Sequence, residues 1–111
     1  MIYIASPYSD ESEKVRIARF QAAAKHAASM MLDGRIVFSP ITHSHPISEH
    51  IPQDKNTWAF WKDFDLMMLD MADELHVLCI DGWDKSKGVA AEIKCAIKKC
   101  LQIVYVFPEV E

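Results

Sequence analysis

The stretch ELHVLCIDGWDKSKGVAAEIKCAIKKCLQIVYVF, Glu74 to Phe107, decides the fold. Its first part, Glu74 to Ile80, is a short apolar run and predicts a strand. Asp81 to Lys87 is polar and glycine-bearing, so it predicts a loop. Gly88 to Cys100 predicts a helix with Lys94, Lys98 and Lys99 on its solvated side. Gln102 to Phe107 predicts another strand, and Pro108 opens a short acidic tail. Two strands joined through a helix imply a parallel pair with a right-handed crossover.

The pattern repeats toward the amino terminus. Ile2 to Ala5 predicts a strand that stops at Ser6-Pro7. Ser9 to Ser12 supplies capping chemistry, and from Lys14 to Leu32 the residues Ile17, Phe20, Ala24, Ala27 and Met31 share one helical face. Gly34 stands where a left-handed carboxyl cap is expected. Arg35 to Phe38 predicts a strand stopped by Ser39-Pro40. Ile41 to Gln53 carries three histidines and two prolines without a period and predicts a long loop. Asp54 is then expected to cap a helix that runs to about Met71. The order βαβαβαβ predicts one α/β domain over residues 1–111, a parallel sheet with helices on both faces. Such sheets bind ligands beyond the carboxyl ends of their strands. That rule selects Ser6 to Ser9, Ser39 to Gln53, and Asp81 to Lys87.

Composition narrows the partners. Half of the 111 residues are hydrophobic and a quarter charged, a globular balance. The formal charge of −4 argues against a nucleic-acid polymer, whose binding draws on a basic surface. A small anion remains compatible, because a helix amino terminus binds phosphate without net positive charge. No apolar run is long enough for a bilayer, and MIYIASPYSD reads as an immediate strand rather than a signal peptide. Cys79, Cys95 and Cys100 are odd in number and unpaired in spacing, as expected of thiols in a reducing cytoplasm.

Several side chains stand out chemically. On the second predicted helix, Trp58, Phe60, Trp61, Phe64, Met68, Leu69 and Ala72 form an apolar arc opposite Lys62, Asp63, Asp70 and Asp73. Asp65 falls inside the apolar arc. A carboxylate there either caps a neighbouring backbone or serves as an acid/base or ligand-binding group in an enclosed pocket. Ser86 and Gly88 lie where the chain enters the next helix, whose free N–H groups favour an anion. Glu92 follows about a turn later, either as a solvated glutamate favoured by the helix dipole or as a nucleophile kept ionised by it. His43, His45 and His50 have the spacing H-x-H-x4-H, but no cysteine or carboxylate nearby in sequence completes a metal shell. No metal or other cofactor is expected; His43 or His45 is expected to touch the ligand and His50 to be solvated. Trp83 is expected either to stack on a base or to pack across a dimer interface. Tyr3 is expected to be either a buried tyrosine whose hydroxyl has some partner or, near the sheet's carboxyl edge, one that reaches a catalytic carboxylate.

Four features together resemble the nucleoside 2-deoxyribosyltransferase superfamily, which includes 2′-deoxynucleoside 5′-monophosphate N-glycosidases. They are IYIASPYS (Ile2 to Ser9), Asp65 seven residues before Ala72-Asp73, the hydrophobic strand after that pair, and Ser86-x-Gly88-x-x-x-Glu92. FSPITHSHPI and LCIDGWDKSKGV also resemble an uncharacterised bacterial and phage branch of that superfamily. The resemblance implies a flavodoxin- or Rossmann-like three-layer sheet of strand order 2-1-3-4 and a homodimer. It implies Glu92 as the nucleophile on a deoxyribose, Asp65 as the acid assisting departure of the base, and Tyr3 positioning Glu92. Ser6, Tyr8, His43, His45, Trp83, Ser86 and Gly88 would bind substrate, Ser86 matching the serine that contacts phosphate in the hydrolases. Ser6-Pro7-Tyr8-Ser9 stands where those hydrolases carry a glycine-rich, arginine-bearing turn, and the chain stops at Glu111, short of their tail. The implied activity is hydrolysis of the N-glycosidic bond, with base transfer or non-catalytic nucleotide sensing as alternatives.

Overall fold

The computed structural model describes residues 1–108. The acidic tail expected after Pro108 lies outside the described residues. Four strands, β1 (Ile2–Ala5), β2 (Val37–Phe38), β3 (Glu74–Leu78) and β4 (Gln102–Val106), form one sheet in the order β2-β1-β3-β4. Every pairing is parallel, with Tyr3 beside Phe38 and Leu75, and Val77 beside Tyr105. Four helices complete the layers: α1 (Glu13–Leu32), α2 (Pro40–Ser48), α3 (Trp58–Asp70) and α4 (Lys87–Lys98). The fold is therefore the three-layer parallel α/β architecture.

Strand periodicity divides the core in two. Tyr3, Ala5, Leu75 and Val77 point to one face, where Leu69, Val89 and Ala96 from α3 and α4 close over them. Ile2, Ile4 and Leu78 point to the other, against Ala27 and Met30 of α1. Because β1 is central, all four of its residues are buried. Burying the side chains of Ile4, Leu75 and Val77 stabilises the sheet by roughly 1.5–3 kcal/mol each.

Three local expectations are corrected. Residues 41–53 are not a continuous loop, since α2 occupies Pro40–Ser48. Ser39-Pro40 ends β2 and also starts a helix: the Ser39 side chain accepts from the Thr42 backbone N–H, and proline is well suited to the first helical turn. Asp54 does not cap α3. It lies in a single 3₁₀ turn, Gln53–Lys55, and α3 begins only at Trp58. The apolar arc of α3 is covered only in part. Asp65 and Leu69 are buried, as is Ala72 just past the helix, whereas Phe60 and Phe64 are exposed, together with Met67 and Met71 outside the expected arc. The expected cap at Gly34 is present, with a positive φ of 83°.

Candidate functional site

The carboxyl ends of the strands open into a cleft of about 1090 Å³, bounded by the β1–α1 loop, α2, the start of α3 and the start of α4. This is the size of a small-molecule site at the upper end of the usual range of roughly 300–1,000 Å³.

Glu92 and Asp65 both line this cleft although they are distant in the chain. Each is almost completely buried, at 4% and 6% relative exposure. Glu92 is the sixth residue of α4, in its second turn, where the helix faces the sheet. The phenol of Tyr3, rising from the middle of β1, donates a hydrogen bond to Glu92 Oε2. Asp65 Oδ1 has no hydrogen-bond partner among the described residues. A backbone-capping role for Asp65 is thus not what the structure contains.

The charge state of Glu92 differs from expectation. Burial pushes the Asp65 carboxyl up to about 7. Burial also pushes Glu92 up, to about 8, with the Tyr3 hydrogen bond acting against the rise and the negative charge of Asp65 adding to it. Glu92 was expected to stay ionised through the helix dipole, but that effect falls off within the first turn and burial outweighs it here. The Tyr3 phenol is pushed above its ordinary value, first by burial and then by Glu92 and Asp65, so it remains a donor. In the free cleft, the two carboxyl groups hold at least part of a proton near neutral pH.

The other expected site residues divide. Ser6, Tyr8, His45, Ser86 and Gly88 line the cleft; His43 and Trp83 are not among its lining residues. Tyr8 Oη and His45 Nδ1 are hydrogen-bonded at 2.5 Å, and the His45 ring stacks on Phe20 with centroids 4.2 Å apart. The buried hydroxyls of Ser6 and Ser44 face the same space with no partner among the described residues. Ser86 caps α4 by accepting from the Val89 N–H at 3.2 Å. His43 instead stacks on Phe64, 5.0 Å between centroids and 11° between planes. Trp83 packs against Tyr105 and Phe107 at the β4 edge. His50 is exposed.

Two tryptophans of the apolar arc join the site. Trp58 and Trp61 line the cleft. The available signal was their spacing, seven and four residues before Asp65, which puts all three on one helical face. Trp61 Nε1 donates to Asn56 Oδ1 at 2.7 Å, which fixes its ring. A β-carbon added at Gly88 would lie only 3.3 Å from the Trp58 ring, so the glycine permits Trp58 to close over the start of α4. Among the described residues no group of three or more His, Cys, Asp or Glu side chains is placed to hold a metal ion.

A parallel sheet with a tyrosine-supported glutamate and a second, unpartnered carboxyl in one cleft defines the class of protein: a three-layer α/β domain with an acidic site at its strand ends. The chain belongs to the family described as Domain of unknown function (DUF1937), whose model matches residues 1–108. No curated protein matches it. No described helix is long and apolar enough to cross a membrane.

Proposed function

We propose that the protein hydrolyses the N-glycosidic bond of a 2′-deoxynucleoside 5′-monophosphate through a glutamyl-glycosyl intermediate. The observation that carries this reading is the buried Tyr3–Glu92 pair facing the same cleft as the unpartnered Asp65 carboxyl. Of the protonation forms the two carboxyl groups share near neutral pH, the reacting one has Glu92 ionised, as the Tyr3 hydrogen bond favours, and Asp65 protonated. In the first step a Glu92 carboxylate oxygen attacks C1′, the C1′–N bond breaks toward the base, and Asp65 gives that nitrogen a proton. In the second, water attacks C1′ while the Asp65 carboxylate takes its proton. The products are free base and deoxyribose 5-phosphate, with Glu92 restored. The amino terminus of α4, with Ser86 and Gly88 flanked by Lys85 and Lys87 on the cleft wall, supplies the electrostatics for the 5′-phosphate. Ser6, Tyr8 and His45 offer donors and acceptors to the base on the opposite wall.

The test is a panel of deoxynucleoside monophosphates and the matching nucleosides, with and without a second base, resolved by chromatography. Release of free base from at least one monophosphate is expected. A base-exchanged nucleotide in place of free sugar phosphate would move the reading to transfer, and inertness toward the whole panel would remove it.

We further propose a homodimer and a cytoplasmic setting. The free thiols of Cys79, Cys95 and Cys100 fit a reducing compartment. Phe60, Phe64, Met67 and Met71 form an exposed stripe along α3 with the 4-3-4 spacing of a helix–helix seam. Antiparallel self-pairing sets the two rings of one copy against the two thioethers of the other, a favourable contact. Met67, 68% exposed, is expected to tolerate glutamate in the monomer. Met67→Glu is therefore expected to halve the mass measured by light scattering without loss of helical signal. An unchanged mass would exclude this face as the interface.

A further inference from the structure

The two loops that flank the cleft are joined by one side chain. Arg19, half-buried on α1, donates through Nη1 to the Ser9 carbonyl at 2.9 Å and to the Tyr8 carbonyl at 3.5 Å. Through Nη2 it donates to the Asp81 carbonyl at 3.2 Å. The first contacts hold the β1–α1 loop, which carries Tyr8 and hence His45. The last holds the β3–α4 loop, which leads through the turn Trp83–Lys85 to the Ser86 cap of α4. These anchor points are 62 residues from Arg19 on one side and about ten on the other, so no local structure links them.

Gly82 is shaped to this contact. Its φ is +90°, a left-handed conformation that side chains rarely adopt, and a β-carbon built on it would overlap the Arg19 guanidinium. The guanidinium is planar with donors diverging from one fork, so it reaches carbonyls on two sides at once; a lysine ammonium is a point donor on a flexible stem. Arg19 also makes no salt bridge among the described residues, its donors being directed at backbone oxygens.

We infer that Arg19 is a positioning residue that clasps the Tyr8 wall of the cleft to the Ser86 wall and sets the distance between them. Glu92 is held separately, by Tyr3 from the sheet. Loss of the clasp therefore loosens ligand binding more than it disturbs the reacting carboxylate. The kinetic part of this inference rests on the nucleotide reading above; the structural part does not.

The experiment compares the unmodified chain with Arg19→Ala, Arg19→Lys, Gly82→Ala and the double variant Arg19→Ala/Gly82→Ala. In Arg19→Ala, hydrogen–deuterium exchange of the hydrogen-bonded Trp83, Lys85 and Ser86 amides is expected to rise about tenfold or more, and limited proteolysis at residues 8–12 to quicken about tenfold, with circular dichroism and melting temperature little changed. Arg19→Lys is expected to protect at most one of the two loops. Gly82→Ala alone is expected to loosen both loops; in the Arg19→Ala background it is expected to add only the strain of its positive φ in residues 82–86 and little in residues 8–12, because the guanidinium it displaces is already gone. With a turned-over deoxynucleoside monophosphate, Arg19→Ala is expected to raise KM about tenfold and leave kcat within about threefold. Unchanged exchange in the β3–α4 loop, unchanged proteolysis of the β1–α1 loop, full rescue by lysine, or additive effects of the two alanines on residues 8–12 would overturn the clasp. Failure of every chain to release base would remove the enzymatic reading while the exchange data still judge Arg19.

Discussion

Glu92→Ala is expected to slow base release from a deoxynucleoside monophosphate by at least about 10³-fold while the nucleotide still binds. The side chain is at the bottom of the cleft, fully enclosed, and it accepts a hydrogen bond from Tyr3. No other carboxylate shares that hydrogen bond, and Asp65 reaches the cleft from a different helix. Removing the carboxylate thus removes the covalent path and leaves the walls made by Tyr8, His45 and Ser86 intact. Glu92→Gln keeps the shape and is expected to be equally slow, because an amide does not form the ester. Tyr3→Phe is expected to be slower by a smaller factor, roughly 10–100-fold, the cost of one oriented hydrogen bond to a charged group. Its rate should recover partly as pH rises. The phenol favours the ionised form of Glu92, so without it the carboxylate needs a higher pH to ionise. Single-turnover chromatography gives the rates, and quenching of Trp58 and Trp61 fluorescence gives the binding. Base release that survives Glu92→Ala would falsify the nucleophile assignment.

The fold was legible because its strands are short apolar runs separated by strong punctuation. Ser6-Pro7, Gly34 and Gly82 each stand where a strand or helix ends or a loop turns. The helix α2 was not legible by period, since PITHSHPIS has no sustained apolar face and holds Pro46 inside it. Its cap, Ser39 followed by Pro40, is visible in the sequence but reads equally as a strand terminus. The two carboxylates were legible for opposite reasons: Asp65 broke an apolar arc, and Glu92 followed a serine–glycine helix start. That burial raises Glu92 as well as Asp65 was not, because it depends on depth of burial. The sequence shows that Glu92 lies near a helix start and does not show how completely Tyr3, α3 and the sheet enclose it. His43 and Trp83 illustrate the same limit. Both belong to loops or helices at the strand ends, yet neighbouring aromatics, Phe64 for one and Tyr105 and Phe107 for the other, hold their rings. Trp58 and Trp61 went the other way, into the cleft, since α3 turns its Asp65 face inward at the site.

Asp65→Asn is expected to make the protein more stable at pH 8 and nearly inactive on ordinary bases. The sign follows from proton uptake. The Asp65 carboxyl has an ordinary value of 3.8 and is raised to about 7 by burial in the fold. Between those limits the folded chain binds more protons than the unfolded one, so stability falls as pH rises through the window and the loss is complete above about 7. Glu92 contributes in the same direction over its own window, from 4.5 to about 8. Asparagine cannot ionise, and it relieves Glu92 of a neighbouring negative charge. The melting temperature of Asp65→Asn should therefore exceed that of the unmodified protein by roughly 5–10 °C at pH 8, for a gain of about 1–2 kcal/mol, and by less than half as much at pH 5, low in the window. The acid side is governed elsewhere. His26, on α1 and next to His76, is held below its ordinary 6.5 by burial and then by that second imidazole. Its penalty grows as pH falls below 6.5 and should be the same in both chains. Circular-dichroism melts from pH 5 to 8 measure this directly, and a gain that does not grow with pH would contradict the buried ionised carboxylate. Activity separates the proton donor from a mere wall residue. A natural base leaves with a proton, so the variant should be about 10²–10⁴-fold slower on it. A 7-methylguanine nucleotide already carries a positive charge on its base and leaves neutral without an acid, so the variant should approach the unmodified rate. Equal loss on both substrates would mean that Asp65 holds the ligand and donates nothing, and the unpartnered oxygen would then be a binding group alone.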